Sequence, residues 1–211
     1  FRNLIKRDLP EVKIEALHHL RQNGDESDLA EILPLLTHAD HRVRAATVPT
    51  LATLGGQEII PTLEPALKDN ATDVRSAAIA ALIDSGDLDY LLEAGIVLKD
   101  MLQSHHKTER LAAARAIEMI QSADLVKPII GLLHDEDPDV RIAALQSAKA
   151  HANPRLIPVV ITLLSDTEVA PQTAEILPEF GTAALDHLVP YLELREIEGA
   201  FEGAHHVPDI I

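Results

Sequence analysis

Apolar positions along the chain recur with helical spacing, and the helical segments themselves recur. Val12, Val43, Val74, Glu109, Val140 and Val169 each open a stretch in which offsets of four and eight are small or aliphatic: Ala16 and Leu20, Thr47 and Leu51, Ala78 and Leu82, Ala113 and Ile117, Ala144 and Ala148, Thr173 and Leu177. Offsets of zero, four, seven and eight share one face of a helix with 3.6 residues per turn. The key positions are 31, 31, 35, 31 and 29 residues apart, so one unit is copied about six times. Ahead of each lies a second apolar segment: Leu29–Leu36, Ile59–Leu67, Leu88–Leu102, Leu125–Leu133 and Leu156–Leu164. Thr37-His38-Ala39-Asp40 and His134-Asp135-Glu136-Asp137-Pro138 are turns between them, and Gly24, Gly55, Gly86 and Gly181 stand near the ends of second helices. The unit is therefore helix, turn, helix, turn. The pattern predicts helices starting near residues 12, 43, 74, 109, 140 and 169, and no sheet.

Asp73-Val74-Arg75-Ser76-Ala77-Ala78-Ile79-Ala80-Ala81-Leu82 is the fullest copy, and Pro34, Pro65, Pro128 and Pro158 sit inside the first helices. An outer helix with an internal proline, an Asp-containing turn and then Val-Arg-x-x-Ala resembles the HEAT repeat, in the short form named after phycobilisome lyases. That resemblance implies an all-α, right-handed α-α superhelix, or solenoid, of about six helical hairpins. The array takes residues 1–192, and residues 193–211 leave the template to form a C-terminal cap or linker. Ala170 replaces Arg in the sixth copy, the fourth carries four extra residues around Tyr90 to Gln103, and Pro49 interrupts the second copy's inner helix. Only a stub, Phe1–Arg7, remains of the first outer helix, which suggests a domain fragment of a longer chain.

Arg44, Arg75, Arg110 and Arg141 share one repeat position, close to Asp40, Asp73 and Asp139. A guanidinium fork fits carboxylates and carbonyls in fixed geometry, so these residues are expected to form a structural ladder. Offsets of two, six and nine point away from the predicted core. They give Ile14, His18 and Arg21; Ala45, Pro49 and Ala52; Ser76, Ala80 and Ile83; Leu111, Arg115 and Glu118; Ile142, Gln146 and Lys149; Pro171, Glu175 and Pro178. In a HEAT-like array these positions line the concave side. The expected partner-binding surface is Ala45, Pro49, Ala52, Ser76, Ala80, Ile83, Leu111, Arg115, Ile142, Gln146 and Glu175, with close packing inside the curve as the competing reason for their small size.

Composition narrows the function. The chain has 34 acidic and 18 basic side chains, a formal net charge of −16, which repels phosphate backbones and favours a basic protein segment over nucleic acid. With no cysteine there is no disulfide or thiolate chemistry, and no apolar run is long enough to span a bilayer. Eleven histidines raise the question of a metal, but His18-His19, His105-His106 and His205-His206 are sequence neighbours that diverge on a helix. Among enzymes that share the repeat, deoxyhypusine hydroxylases bind iron through His-Glu pairs, which are absent here, and alkylpurine DNA glycosylases use a basic groove with Trp, also absent. The expectation is a non-enzymatic, cytoplasmic protein-binding scaffold with no cofactor and no metal. Its partner would be a protein or peptide segment or an adjacent domain of the parent chain, without membrane insertion. Two further readings follow from the resemblance: a cytosolic regulatory HEAT domain of a larger bacterial protein, a membrane transporter being one such parent, and a bilin lyase or tetrapyrrole chaperone.

Overall fold

A computed structural model describes residues 3–122 and 124–197. Every regular element among them is helical: α1 (Pro10–Asn23), α2 (Leu29–Ile32), α3 (His41–Leu63), α4 (Thr72–Asp84), α5 (Leu88–Leu102), α6 (Lys107–Met119), α7 (Val126–Leu133), α8 (Pro138–His151), α9 (Ile157–Thr162), α10 (Ala170–Ile176) and α11 (Thr182–Ile197), linked in places by 3-10 turns. This is the all-α repeat architecture that the sequence predicts. The inner helices α1, α3, α4, α6 and α8 each begin two residues before the key position, and α10 begins one after it. Asp40 and Asp137 fix two of these starts, because their carboxylates accept the backbone N–H of Arg42 and Asp139.

Proline shapes the outer helices. Lacking an N–H, it cannot close an α-helical bond to the preceding turn. Pro34 and Pro65 accordingly stand at the start of 3-10 turns, Leu33–Thr37 and Glu64–Lys68, and Pro158 stands in the first turn of α9. Among the described residues only α5 is a long outer helix without proline. Pro49, by contrast, is accommodated inside α3, where the Thr53 hydroxyl donates to its carbonyl.

Two compact units divide the chain: Phe1–Ser104 with Met119–Ala123, and His105–Glu118 with Asp124–Ile211. In the first, α3 packs between α1 and α4, and α4 packs on α5. In the second, α8 packs against α7 and α10, and α11 against α9. Both cores are almost wholly aliphatic, with Leu17, Leu51, Ile79 and Leu82 in one and Ile117, Ile129, Leu133 and Leu145 in the other fully buried. Alanines at the repeat positions, such as Ala16, Ala78, Ala113, Ala144 and Ala148, have no exposed surface, so the helix backbones approach closely.

Buried hydroxyls add a second tie between repeats. Thr50 donates to the carbonyl of Leu17, 33 residues earlier, and Ser147 donates to Ala114, also 33 residues earlier. The two pairs occupy equivalent repeat positions. A further bond joins His151 Nε2 to the Ile117 carbonyl at 2.8 Å.

Helix ends depart from the expectation at several positions. Gly24 is extended rather than left-handed, and it is required for a different reason: an added Cβ would lie 2.6 Å from the Leu20 carbonyl oxygen. Gly56, not Gly55, carries the special backbone, with φ +52° and ψ −144° inside α3. It ends the inner helix of one hairpin and starts the outer helix of the next. The α11 helix runs through position 192, where the array was expected to end, and the expected cap beyond residue 197 lies outside the described residues.

Replacing Gly56 with Ala should lower stability by roughly 1–3 kcal/mol, the cost of an L-residue in that backbone region, although the space around it is open. Gly131→Ala, in the open face of α7, should raise stability by about 0.5–1 kcal/mol. Urea unfolding of the two variants checks the pair; equal effects would place the kink elsewhere.

Candidate functional site

The arginine ladder exists, but with different acids from those expected. Arg44 grips Asp69 with two bonds, Nε to Oδ2 at 2.7 Å and Nη2 to Oδ1 at 2.8 Å. Arg110 grips Asp135 in the same way, at 2.7 and 2.9 Å. Arg141 places Nε 3.0 Å from Asp166 and donates through Nη2 to Glu168 at 3.0 Å. Its Nε contact is an ion pair whose angle is too poor for a hydrogen bond. Each of these aspartates lies 25 residues after its arginine, in the turn of the next repeat.

The remaining guanidinium nitrogens hold the arginine's own turn. Arg44 donates to the carbonyls of His38 and Ala39, Arg75 to those of Asp69 and Asn70, and Arg141 to those of Asp135 and Glu136. The residue six places before the arginine is therefore the hub of the turn. Its side chain also accepts the backbone N–H two residues on: Asp40 N–H to His38, Ala71 to Asp69 and Asp137 to Asp135; in the last turn, which precedes no arginine, Asp166 accepts the N–H of Glu168 in the same way. In the turn that faces Arg75 from the next repeat the hub is Ser104, so that rung has no acid at this position.

Asp40, Asp73 and Asp139, the acids expected to pair with the arginines, serve elsewhere. Asp40 caps α3 and binds Arg42, which also reaches Glu11 of the preceding repeat. Asp73 receives His41 at 2.7 Å, and Asp139 receives Lys107 at 2.6 Å, each across 32 residues. These last two pairs are equivalent and tie neighbouring repeats at the surface. The Arg42 hydrogen bond holds the Asp40 carboxyl down to about 2.

The expected partner surface divides in two. Ala45, Pro49 and Ala52 on α3 are half-buried, as the offset rule predicts. Ser76, Ala80 and Ile83 on α4 are 1 %, 6 % and 5 % exposed, so they give solvent very little surface. The reason is local: α4 is packed by α3 and α5, and Asp84 accepts the backbone N–H groups of Gln121 and Ser122, which folds that segment over the helix end. In the second unit Leu111, Ile142 and Gln146 are half-buried, and Arg115 and Glu175 are exposed.

The first unit contains a concavity of about 400 Å³ over these positions. Pro49, Ala52, Ala80 and Ala81 form an apolar floor, and Arg21, Asp84, Gln57 and Gln121 supply polar groups at its edges. Gln57 is held by the Ser85 carbonyl at 2.6 Å. Arg21 is exposed, with no partner among the described residues. Position nine of the first copy pointed to Arg21; Gln57, Met119 and Gln121 were not foreseen, because they come from the kink after Gly56, the last residue of α6 and the loop after it. Among the described residues no group of three His, Cys, Asp or Glu side chains is placed to hold a metal, and no helix is long and apolar enough to cross a membrane.

The Arg44–Asp69 pair gives a pH dependence with a definite sign. The hydrogen bond from Arg44 lowers the Asp69 carboxyl below its ordinary 3.8. Its stabilisation is thus complete above the ordinary value and is lost as pH falls through the lower, folded one. Asp69→Asn should melt below wild type at neutral pH, and the gap should close as pH drops below about 4. A gap that stays constant down to strong acid would deny the carboxylate its role.

A protein of Pseudanabaena tenuis (strain PCC 7409), "Uncharacterized phycocyanin operon protein Z", is 24 % identical over 166 residues, covering 77 % of this chain and 82 % of its own length. A crystal structure described as an engineered protein covers 99 % of this chain and 94 % of its own, with 19 % identity and a TM-score of 0.43. The family profile of HEAT repeats matches residues 1–83 and 97–177. The chain belongs to the HEAT-repeat family.

Proposed function

We propose that the chain is a non-enzymatic scaffold that holds a segment of another protein, or of an adjoining domain, against its inner helices. The concavity over Pro49, Ala52 and Ala80 carries this reading. Small apolar residues give a floor against which a side chain loses water, and Arg21, Asp84 and Gln57 at the edges offer charges and hydrogen bonds that orient a peptide. Pro49, inside α3, adds rigid apolar surface and has no N–H of its own to satisfy. Leu111, Arg115, Ile142, Gln146 and Glu175 are the corresponding positions in the second unit. The arginine ladder belongs to stability in this account, since its forks are filled by carboxylates and carbonyls.

A second reading rests on the relative from Pseudanabaena tenuis, whose name ties it to a phycocyanin operon. Under it the same concavity would receive a linear tetrapyrrole. Mixing the chain with a free bilin and following the visible absorption band distinguishes the two: a saturable shift favours the second reading.

Ala52→Glu is the test of the scaffold. Ala52 is half-buried and lines the concavity, so the fold should survive while a charge enters the contact at a cost of roughly 1–3 kcal/mol. Pull-downs with wild type, Ala52→Glu and the outer-helix control Lys127→Glu should recover a partner that only Ala52→Glu loses. That partner should protect amides of α3 and α4 from hydrogen exchange. Identical recovery by all three would make the concavity a product of close packing alone.

A further inference from the structure

Outside this concavity, α5 presents an apolar stripe to solvent that the rest of the structure leaves unexplained. Leu88, Leu92 and Ile96 are 73 %, 63 % and 62 % exposed, among the most exposed large hydrophobic residues described. They recur every four residues, so they stand in one row on the side opposite the buried Ala94, Leu98 and Met101. Single exposed leucines are ordinary on protein surfaces; three in register on one helix are not. This is also the outer helix that carries the extra residues of the fourth repeat and no proline. A straight, uninterrupted outer helix with an apolar outer row is thus the exception in this array.

We infer that α5 is the self-association surface of the chain, packing antiparallel against α5 of a second copy about a two-fold axis. The helix is self-complementary in the way such an axis requires. Leu92 and Ile96 are centred on residue 94, and so are Asp89 and Lys99. An antiparallel copy therefore sets Leu92 of one chain against Ile96 of the other, and in the same register sets Asp89 against Lys99, twice over. Asp89 and Lys99 are both exposed, and neither side chain has an ion-pair partner among the described residues. Gly95, beside the centre, has nothing within 4 Å of where a Cβ would lie, which lets the two helices approach closely at the axis. Leu88 then lies along the aliphatic stem of the partner's Lys99. One helix pair buries little area, so the dimer is a weak one, at the low end of specific interfaces.

Analytical ultracentrifugation of the full 211-residue chain over the micromolar range tests this. The expected result is a reversible monomer–dimer equilibrium. Leu92→Glu, at an exposed position, should leave the circular dichroism spectrum unchanged and raise the dissociation constant at least about tenfold. Asp89→Lys and Lys99→Asp should each weaken the dimer by about three- to tenfold, and the double charge swap should return it to near wild type. The rescue is a readout that a loss of fold could not give. A chain that stays monomeric throughout, as it would if α5 instead receives a different protein, overturns the inference. So does a dimer that Leu92→Glu does not weaken, or single charge variants that the swap does not repair.

Discussion

A helical hairpin of some thirty residues cannot bury its own apolar face, so everything here depends on how one hairpin is fixed to the next. The decisive interaction is the arginine that follows the key position of the repeat. One part of its guanidinium holds two carbonyls of its own turn, and another part holds a carboxylate in the turn one repeat on. The Arg110–Asp135 pair is nine-tenths buried on both sides, so the charges are removed from water only because each satisfies the other. A lysine could not do this, since it lacks the planar fork. Lys13, at the same position of the first repeat, reaches a single carbonyl, that of Ile5.

With the turns fixed, the inner helices lie close enough for alanine to suffice as core. Thr50 and Ser147 can then bond to the neighbouring helix backbone, because the gap between backbones is short enough for a hydroxyl to cross. The same closeness determines what remains open. In the first unit α4 is packed so tightly that Ser76 and Ile83 are nearly lost to solvent and Ala80 keeps only a sliver of surface, while Pro49 and Ala52 on α3 keep a more accessible side over the concavity. The proposed binding surface is therefore what close stacking leaves uncovered, and its chemistry is set by edge residues such as Arg21 and Asp84.

Much of this was legible in the sequence. The period, the helix starts and the aliphatic inner face follow from spacing alone, because they repeat. The ladder was legible in its arginines but not in its acids. Asp40, Asp73 and Asp139 are near in sequence, whereas Asp69, Asp135 and Asp166 are near in space. The signal that finds the true partners is the separation of 25 residues, which for Asp69 and Asp135 is also the position six before the next arginine. Half of the concavity was hidden for another reason. Gln57 and Gln121 lie outside the inner helices, one after a glycine kink and the other in a loop, where periodicity carries no information. The outward row of α5 was visible as an apolar segment, yet only its exposure in the structure separates a core face from a bare one.

The claim that neighbouring repeats are locked by a charged clamp is tested most directly by a double-mutant cycle on Arg110 and Asp135. Urea unfolding of Arg110→Ala, Asp135→Ala and the double variant gives the energy that the two side chains share. The account predicts a coupling of about 1.5–3 kcal/mol, because removing either partner strands the other in a buried site. Single effects that add to the double within about 0.3–0.5 kcal/mol would contradict it, leaving the stacking of aliphatic faces as the whole of what holds the repeats together.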